Sequence, residues 1–195
     1  IIGAVIIIAV IMLIIGIAGG YFLHEIQYPR PPAPKIVLID DLGRNVTLSK
    51  PAERVVSVAA AATRTLYDLG VFDKVVGVDK YSDDPPEAQN KAIVDYKDAE
   101  SVLACNPDLV IAWWYQQKYL QQVEEAGVPV IYIHPTSIEG IYYDILLIGK
   151  AVGAEDRAIS LVSNLKMRVS FIENYVKYNL TETYSRPKVY LELYS

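Results

Sequence analysis

Leu109-Val110-Ile111-Ala112 and Val130-Ile131-Tyr132-Ile133 are two unbroken apolar runs, separated by a Gln- and Glu-rich stretch that closes at Gly127. Apolar runs this short are strands, and a strand without polar alternation is covered on both faces. The stretch between them is long enough for a helix, which makes the unit strand, helix, strand. Upstream the same unit recurs. Val55-Val56-Ser57-Val58 reads as a strand, Thr63 to Leu69 as a helix stopped by Gly70, and Val75-Val76-Gly77-Val78 as another strand. Strands alternating with helices predict an α/β fold, a parallel sheet with helices packed on it.

The flanks read differently. Ile36 to Ile39 and Asn45 to Leu48 bracket Asp40-Asp41-Leu42-Gly43-Arg44, acidic residues and a glycine between β-prone runs, which predicts a hairpin. From Ala158 to Tyr178 the residues Ile159, Val162, Leu165, Val169, Ile172 and Val176 fall at steps of three and four, the signature of one long amphipathic helix. A strand is expected from Lys188 to Tyr194, with no evident partner. Ile1 to Leu23 carries no charge and as a helix would extend roughly 34 Å, enough to cross a bilayer core. Between it and the hairpin, Tyr28-Pro29-Arg30-Pro31-Pro32-Ala33-Pro34 is a stiff spacer. The expected organisation is therefore an apolar transmembrane or pilin-like helix at 1–23, a Pro-rich spacer at 24–35, and an α/β lobe at 36–157. A linking helix and connection at 158–185 and the first strand of a second lobe at 186–195 complete it.

Composition removes several classes of function. The formal net charge is −5 with no block of Lys or Arg, so nothing marks a nucleic-acid surface. A single cysteine, Cys105, forbids an internal disulfide and a multi-cysteine zinc site. The two histidines, His24 and His134, have no second ligand at metal-site spacing. Gly149-Lys150 lacks the upstream glycine and the following hydroxyl of a phosphate loop, and no serine lies in a Gly-x-Ser-x-Gly elbow. Neither catalytic residues nor a metal are expected, and the chain is not read as an enzyme. Asp83-Asp84 before two prolines is a solvated turn. Asn45 and Asn179 each open a glycosylation sequon.

Seven segments in series resemble those of the periplasmic binding proteins that carry vitamin B12, haem and ferric siderophores to ABC importers. They are Asp40 to Leu48, Pro51 to Ser57, Leu66 to Gly70, Val75 to Val78, Tyr81 to Ala88, Asn106 to Ala112 and Arg186 to Tyr190. The resemblance implies two α/β lobes joined by a rigid helix with ligand held between them, this chain supplying the first lobe and the helix. It implies no intrinsic cofactor, only a corrinoid, haem or ferric siderophore as transported ligand, and an importer permease as partner. Localisation would be the outer face of the membrane, anchored through 1–23.

In an open parallel sheet, ligands sit beyond the carboxyl ends of the strands. Tyr81 follows a strand where the family often has an aromatic. Tyr96 looks like the aromatic after the family's short loop, and Trp113 follows the strand ending at Ala112. Flat rings suit a macrocycle because they offer broad contact at little rotamer cost. Ala59-Ala60-Ala61-Ala62-Thr63 is expected to form the turn into the first helix, with Ala60 and Ala61 leaving helix N–H groups open to ligand and Thr63 as the cap. Here the family commonly has Pro and a hydroxyl residue, and its acidic residue after the Thr is Arg64. Glu100 matches the acidic residue that engages the importer. A second reading takes the apolar start as similar to type IV pilins, making the lobe the head of a filament subunit packed against like subunits.

Overall fold

The structure, a computed structural model, describes residues 11–16 and 35–179. Its contacts divide into two units, Ile1–Pro34 and Lys35–Ser195. In the first unit the described residues 11–16 are helical. The rest of the expected 1–23 segment, residues 24–34 of the spacer and the strand at 186–195 lie outside the described residues, as does the pilin-like packing. Among the described residues no helix is long and apolar enough to cross a membrane.

The second unit opens with the predicted hairpin, β1 (Ile36–Ile39) paired antiparallel with β2 (Asn45–Leu48). Its turn is held by Asp40, whose Oδ1 accepts the N–H groups of Leu42 and Arg44 at 3.1 and 2.9 Å. The Arg44 guanidinium donates to Asp40 Oδ2, to Glu124 Oε1 and to the carbonyl of Val130, and lies 4.4 Å from the ring centroid of Tyr132. One cation thereby clamps the hairpin to the neighbouring sheet.

That sheet has five parallel strands in the order β5 (Ala92–Val94), β4 (Val75–Asp79), β3 (Val55–Ser57), β6 (Leu109–Trp113), β7 (Val130–Ile133). Successive side chains point to opposite faces. Val55, Leu109, Ile111 and Ile131 enter one core, with Leu66 and Leu69 of α1 (Ala60–Asp68), Ile145 and Ile148 of α4 (Ile138–Ala151) and Val162 of α5 (Glu155–Asn179). Val56, Val110, Val130 and Tyr132 enter the other, under Val102 of α2 (Ala99–Leu103) and Leu120 and Val123 of α3 (Gln117–Glu125). Full burial of both faces explains the unbroken apolar runs.

Local tethers set where the strands begin. Asp108 accepts from the N–H groups of Glu53 and Arg54, and the Arg54 side chain donates to the carbonyls of Cys105 and Asn106. Asn106 takes a positive φ of 48°, a turn that a short amide side chain tolerates. Cys105 packs against Gly77, where a Cβ would lie only 3.0 Å from its Sγ.

Two expectations need correction. Ala60 to Ala62 form the first turn of α1 and not a loop, and Thr63 is buried within that helix instead of capping it; the N-cap is Ala59, with no side-chain bond. The long helix starts at Glu155, three residues before Ala158, because Gly153 ends α4 with φ 71° and Glu155 and Asp156 suit a helix N-terminus. Beyond β6, Trp114 opens a short 3-10 turn, Trp114–Gln116, and is exposed. Gly149 and Lys150 lie inside α4.

Candidate functional site

The carboxyl ends of β4 and β5 lie side by side, and each leads directly into an aromatic residue. Tyr81 follows β4 and Tyr96 follows β5, and the two rings line one cleft of about 350 Å³ together with Lys80, Lys97, Asp79 and Asp95. Tyr81 is 62% exposed, so most of its ring is available for contact. Each ring has a cation beside it: Lys80 Nζ lies 4.9 Å from the Tyr81 centroid and Lys97 Nζ 5.9 Å from that of Tyr96. The Tyr96 ring is braced edge-on by Tyr119 of α3, centroids 5.7 Å apart. The wall is thus aromatic and edged by both lysines and aspartates, suited to a ligand that offers a broad apolar face and polar groups at its margin.

Tyr115, in the 3-10 turn after β6, lies near the two tyrosines without lining their cleft. Burial raises its phenol above the ordinary value, with Tyr96, Asp79 and Tyr81 near enough to add to the effect. Nothing in the sequence singles out Tyr115, which follows two tryptophans after an apolar run. The lysines were missed too, although Lys80-Tyr81 and Tyr96-Lys97 each pair a ring with a cation in adjacent positions.

Trp113 stands at the end of β6, half-buried against the larger core, with its N–H donated to Gln116 Oε1 at 2.9 Å. Gln116 is itself buried and donates to the carbonyl of Val58 at 3.0 Å, which ties β6 to the end of β3. Trp113 is not among the residues that line the Tyr81–Tyr96 cleft. Trp114 lies 4.7 Å from the ring of His134, an exposed side chain at the end of β7. Ala60 is half-buried and Ala61 exposed in the first turn of α1, where helix N–H groups lack intrahelical partners.

Beneath Tyr81 runs a buried chain of polar side chains. Ser82 Oγ donates to Asp79 Oδ1 at 2.6 Å, and Thr63 Oγ1 lies 3.0 Å from Ser82 Oγ and 2.8 Å from Ser57 Oγ. Outside it, Arg64 pairs with Asp68 and with Asp84, so Asp84 belongs to an ion pair. Among the described residues no group of three or more His, Cys, Asp or Glu could hold a metal ion.

Glu100 is exposed in the first turn of α2, whose start is capped by Asp98 accepting the Glu100 N–H at 3.0 Å. Asn45 is exposed on β2; the side chain of Asn179 and the rest of its sequon lie outside the described residues. On the opposite side of the sheet from α2, Asp144 of α4 is buried with no partner for either carboxyl oxygen. Burial, then the Asp41 carboxylate beside it, pushes its acid up to about 8.

A family model described as Periplasmic binding protein matches residues 55–182. A vitamin B12-binding protein of Yersinia pestis is 36% identical over 124 residues, covering 60% of this chain and 43% of its own length. A periplasmic solute binding protein from Veillonella parvula superposes with a TM-score of 0.67 at 25% identity, over 76% of this chain and 50% of its own. A periplasmic heme binding protein from Pseudomonas aeruginosa gives a TM-score of 0.60 at 26% identity, over 65% and 47%. The chain spans less than half the length of the curated relative it matches.

Proposed function

We propose that this chain, which belongs to the periplasmic binding protein family, is the first lobe of an extracytoplasmic receptor for a metal chelate. The ligand class is a corrinoid, haem or ferric siderophore, taken up for delivery to an ABC importer. The observation that carries this reading is the pairing of Tyr81 and Tyr96 on one cleft at adjacent strand ends, each ring with a lysine beside it. Relatives named for vitamin B12 and heme binding support the class of ligand. Ala60, Ala61 and Trp113 extend the contact surface along the same edge of the sheet, across the ends of β3 and β6. Glu100, exposed on α2, docks on the importer, where one carboxylate contributes register and steering more than affinity. The apolar run at 1–23 tethers the lobe to the outer face of the membrane. A binding protein of this kind needs no catalytic residue.

Calorimetric titration with cyanocobalamin, haemin and a ferric hydroxamate tests the reading. At least one ligand binds, and Tyr81→Ala and Tyr96→Ala each weaken it by about tenfold, the worth of one buried ring contact. Binding of none of the three, or binding indifferent to both substitutions, would sink the proposal.

A further inference from the structure

We propose that Thr63 and Ser82 are positioning residues for the cleft: the buried chain Asp79, Ser82, Thr63, Ser57 fixes the turn that presents Lys80 and Tyr81 and locks it to the first turn of α1. This rests on reading the Tyr81–Tyr96 cleft as the ligand site.

The turn is closed by the Ser82 N–H donating to the carbonyl of Asp79 at 3.1 Å, which leaves Lys80 and Tyr81 as its two central residues. At 62% exposure, Tyr81 has little packing of its own to hold it. What holds the turn is underneath. Asp79, Ser57, Thr63 and Ser82 are all 4% exposed or less, so each polar atom must find its partner within the protein.

The protons can be followed in one direction. Ser82 gives its proton to the Asp79 carboxylate over 2.6 Å, a short charge-assisted bond. Its oxygen is then an acceptor for Thr63 at 3.0 Å, and Thr63 Oγ1 lies 2.8 Å from Ser57 Oγ. The carbonyl of Ala59 lies farther from both Ser57 Oγ and Thr63 Oγ1, at 3.3 Å. Three elements, the end of β3, the buried side of α1 and the turn after β4, are joined by a line in which each hydroxyl has one donor role. Removing the Thr63 or the Ser82 hydroxyl cuts the line between α1 and the turn, which otherwise holds the two in one preferred geometry. Ala60 and Ala61, one turn ahead of Thr63 on α1, are thereby held in register with Tyr81. The exposed Arg64–Asp84 pair spans the same gap from outside, where solvent screening leaves it weak.

The test places 3-fluorotyrosine at position 81 of the full chain and records its fluorine resonance without ligand. The unsubstituted chain gives one line displaced from that of free fluorotyrosine. Thr63→Val, which keeps the shape and removes the hydroxyl, and Ser82→Ala each broaden the line and move it toward the free value, while Thr63→Ser restores it. With cyanocobalamin and haemin as probes, Thr63→Val weakens binding by about fivefold, one hydrogen bond's worth, and Thr63→Ser does not. An unmoved line in Thr63→Val and Ser82→Ala overturns the proposal, even where melting temperature falls, because that is the behaviour of residues that only support the core. Should Thr63→Val fail to fold, Ser82→Ala decides. Because the resonance is read without ligand, failure of the chain to bind either probe counts against the cleft as a ligand site and leaves the positioning claim to the fluorine line.

Discussion

Replacing Asp144 by Asn should make the protein more stable at neutral pH and flatten the pH dependence of its stability. Asp144 lies on α4, 5% exposed, and no donor reaches either carboxyl oxygen. The group that faces it is Asp41, whose own Oδ2 is occupied by the N–H of His134. Two carboxylates in such a place do not both ionise, and burial together with Asp41 raises the Asp144 acid from 3.8 to about 8. The proton it retains supplies the donor that the pair otherwise lacks. In the unfolded chain Asp144 ionises near 4, so between pH 4 and pH 8 the unfolded state binds fewer protons than the folded one. Stability therefore falls as pH rises through that window, by up to about 1.4 kcal/mol per pH unit. Below it the group is neutral in both states, and above it ionised in both, so the curve levels at each end. At pH 7 the accumulated penalty approaches about 4 kcal/mol, and structural relaxation brings the expected gain for Asp144→Asn to about 2–4 kcal/mol. The asparagine amide keeps the shape and offers Asp41 a permanent N–H donor. Urea unfolding followed by far-UV circular dichroism at pH 5, 6, 7 and 8 measures both curves. Parallel curves for the parent and the variant would show that Asp144 is not held protonated.

Other outcomes follow from the same geometry. Arg44→Met removes the cation shared by Asp40 and Glu124 and leaves the fully buried Asp40 carboxylate with backbone donors alone, which lowers stability by about 3 kcal/mol in the same urea assay. Gly149→Ala places a methyl 2.4 Å from the Cβ of Ala158 where α4 meets α5, costing about 1–3 kcal/mol, and Ala158→Gly in the same chain recovers most of it. Tyr81→Ala with Tyr96→Ala should lose binding in calorimetry while the melting temperature moves little for Tyr81, whose ring is mostly in water.

The parts of the fold that were legible in the sequence are those whose burial is uniform. β3, β4, β6 and β7 sit inside a sheet covered on both sides, so their residues are apolar without interruption and can be read directly. β5 was not seen, because Ala92 and Ile93 on this edge strand are exposed and only Val94 is buried. α4 has no single stripe: Ile138 and Ile141 are exposed while Tyr142, Ile145, Leu147 and Ile148 are buried, so apolar residues occur on every side of it and its period is blurred. The start of α1 was misplaced for a different reason. Ala59 makes no side-chain cap, and a run of four alanines carries no boundary signal, whereas Thr63 resembled a cap and turned out to be a buried link between strand and turn.

The same contrast explains the site. That Tyr81 and Trp113 stand at strand ends could be read from their position after apolar runs, whereas Tyr96 follows β5 and was legible only through the resemblance; which of them share a wall depends on strand order, a property of the folded sheet. β4 pairs with β5 while β6 lies on the far side of β3, and so the two tyrosines meet and Trp113 stays apart from their cleft. Tyr115 returns to the tyrosines only through the 3-10 turn that interrupts β6 after Trp113, a bend held by Gln116 bonding back to the Trp113 N–H and across to Val58. The hydroxyl line under Tyr81 draws one residue from β3, one from α1 and two from β4 and its turn, separated along the chain by unrelated segments. Single hydroxyls scattered in this way are common in any sequence. What distinguishes Ser57, Thr63 and Ser82 is that all three are buried and mutually in reach, which only packing brings about.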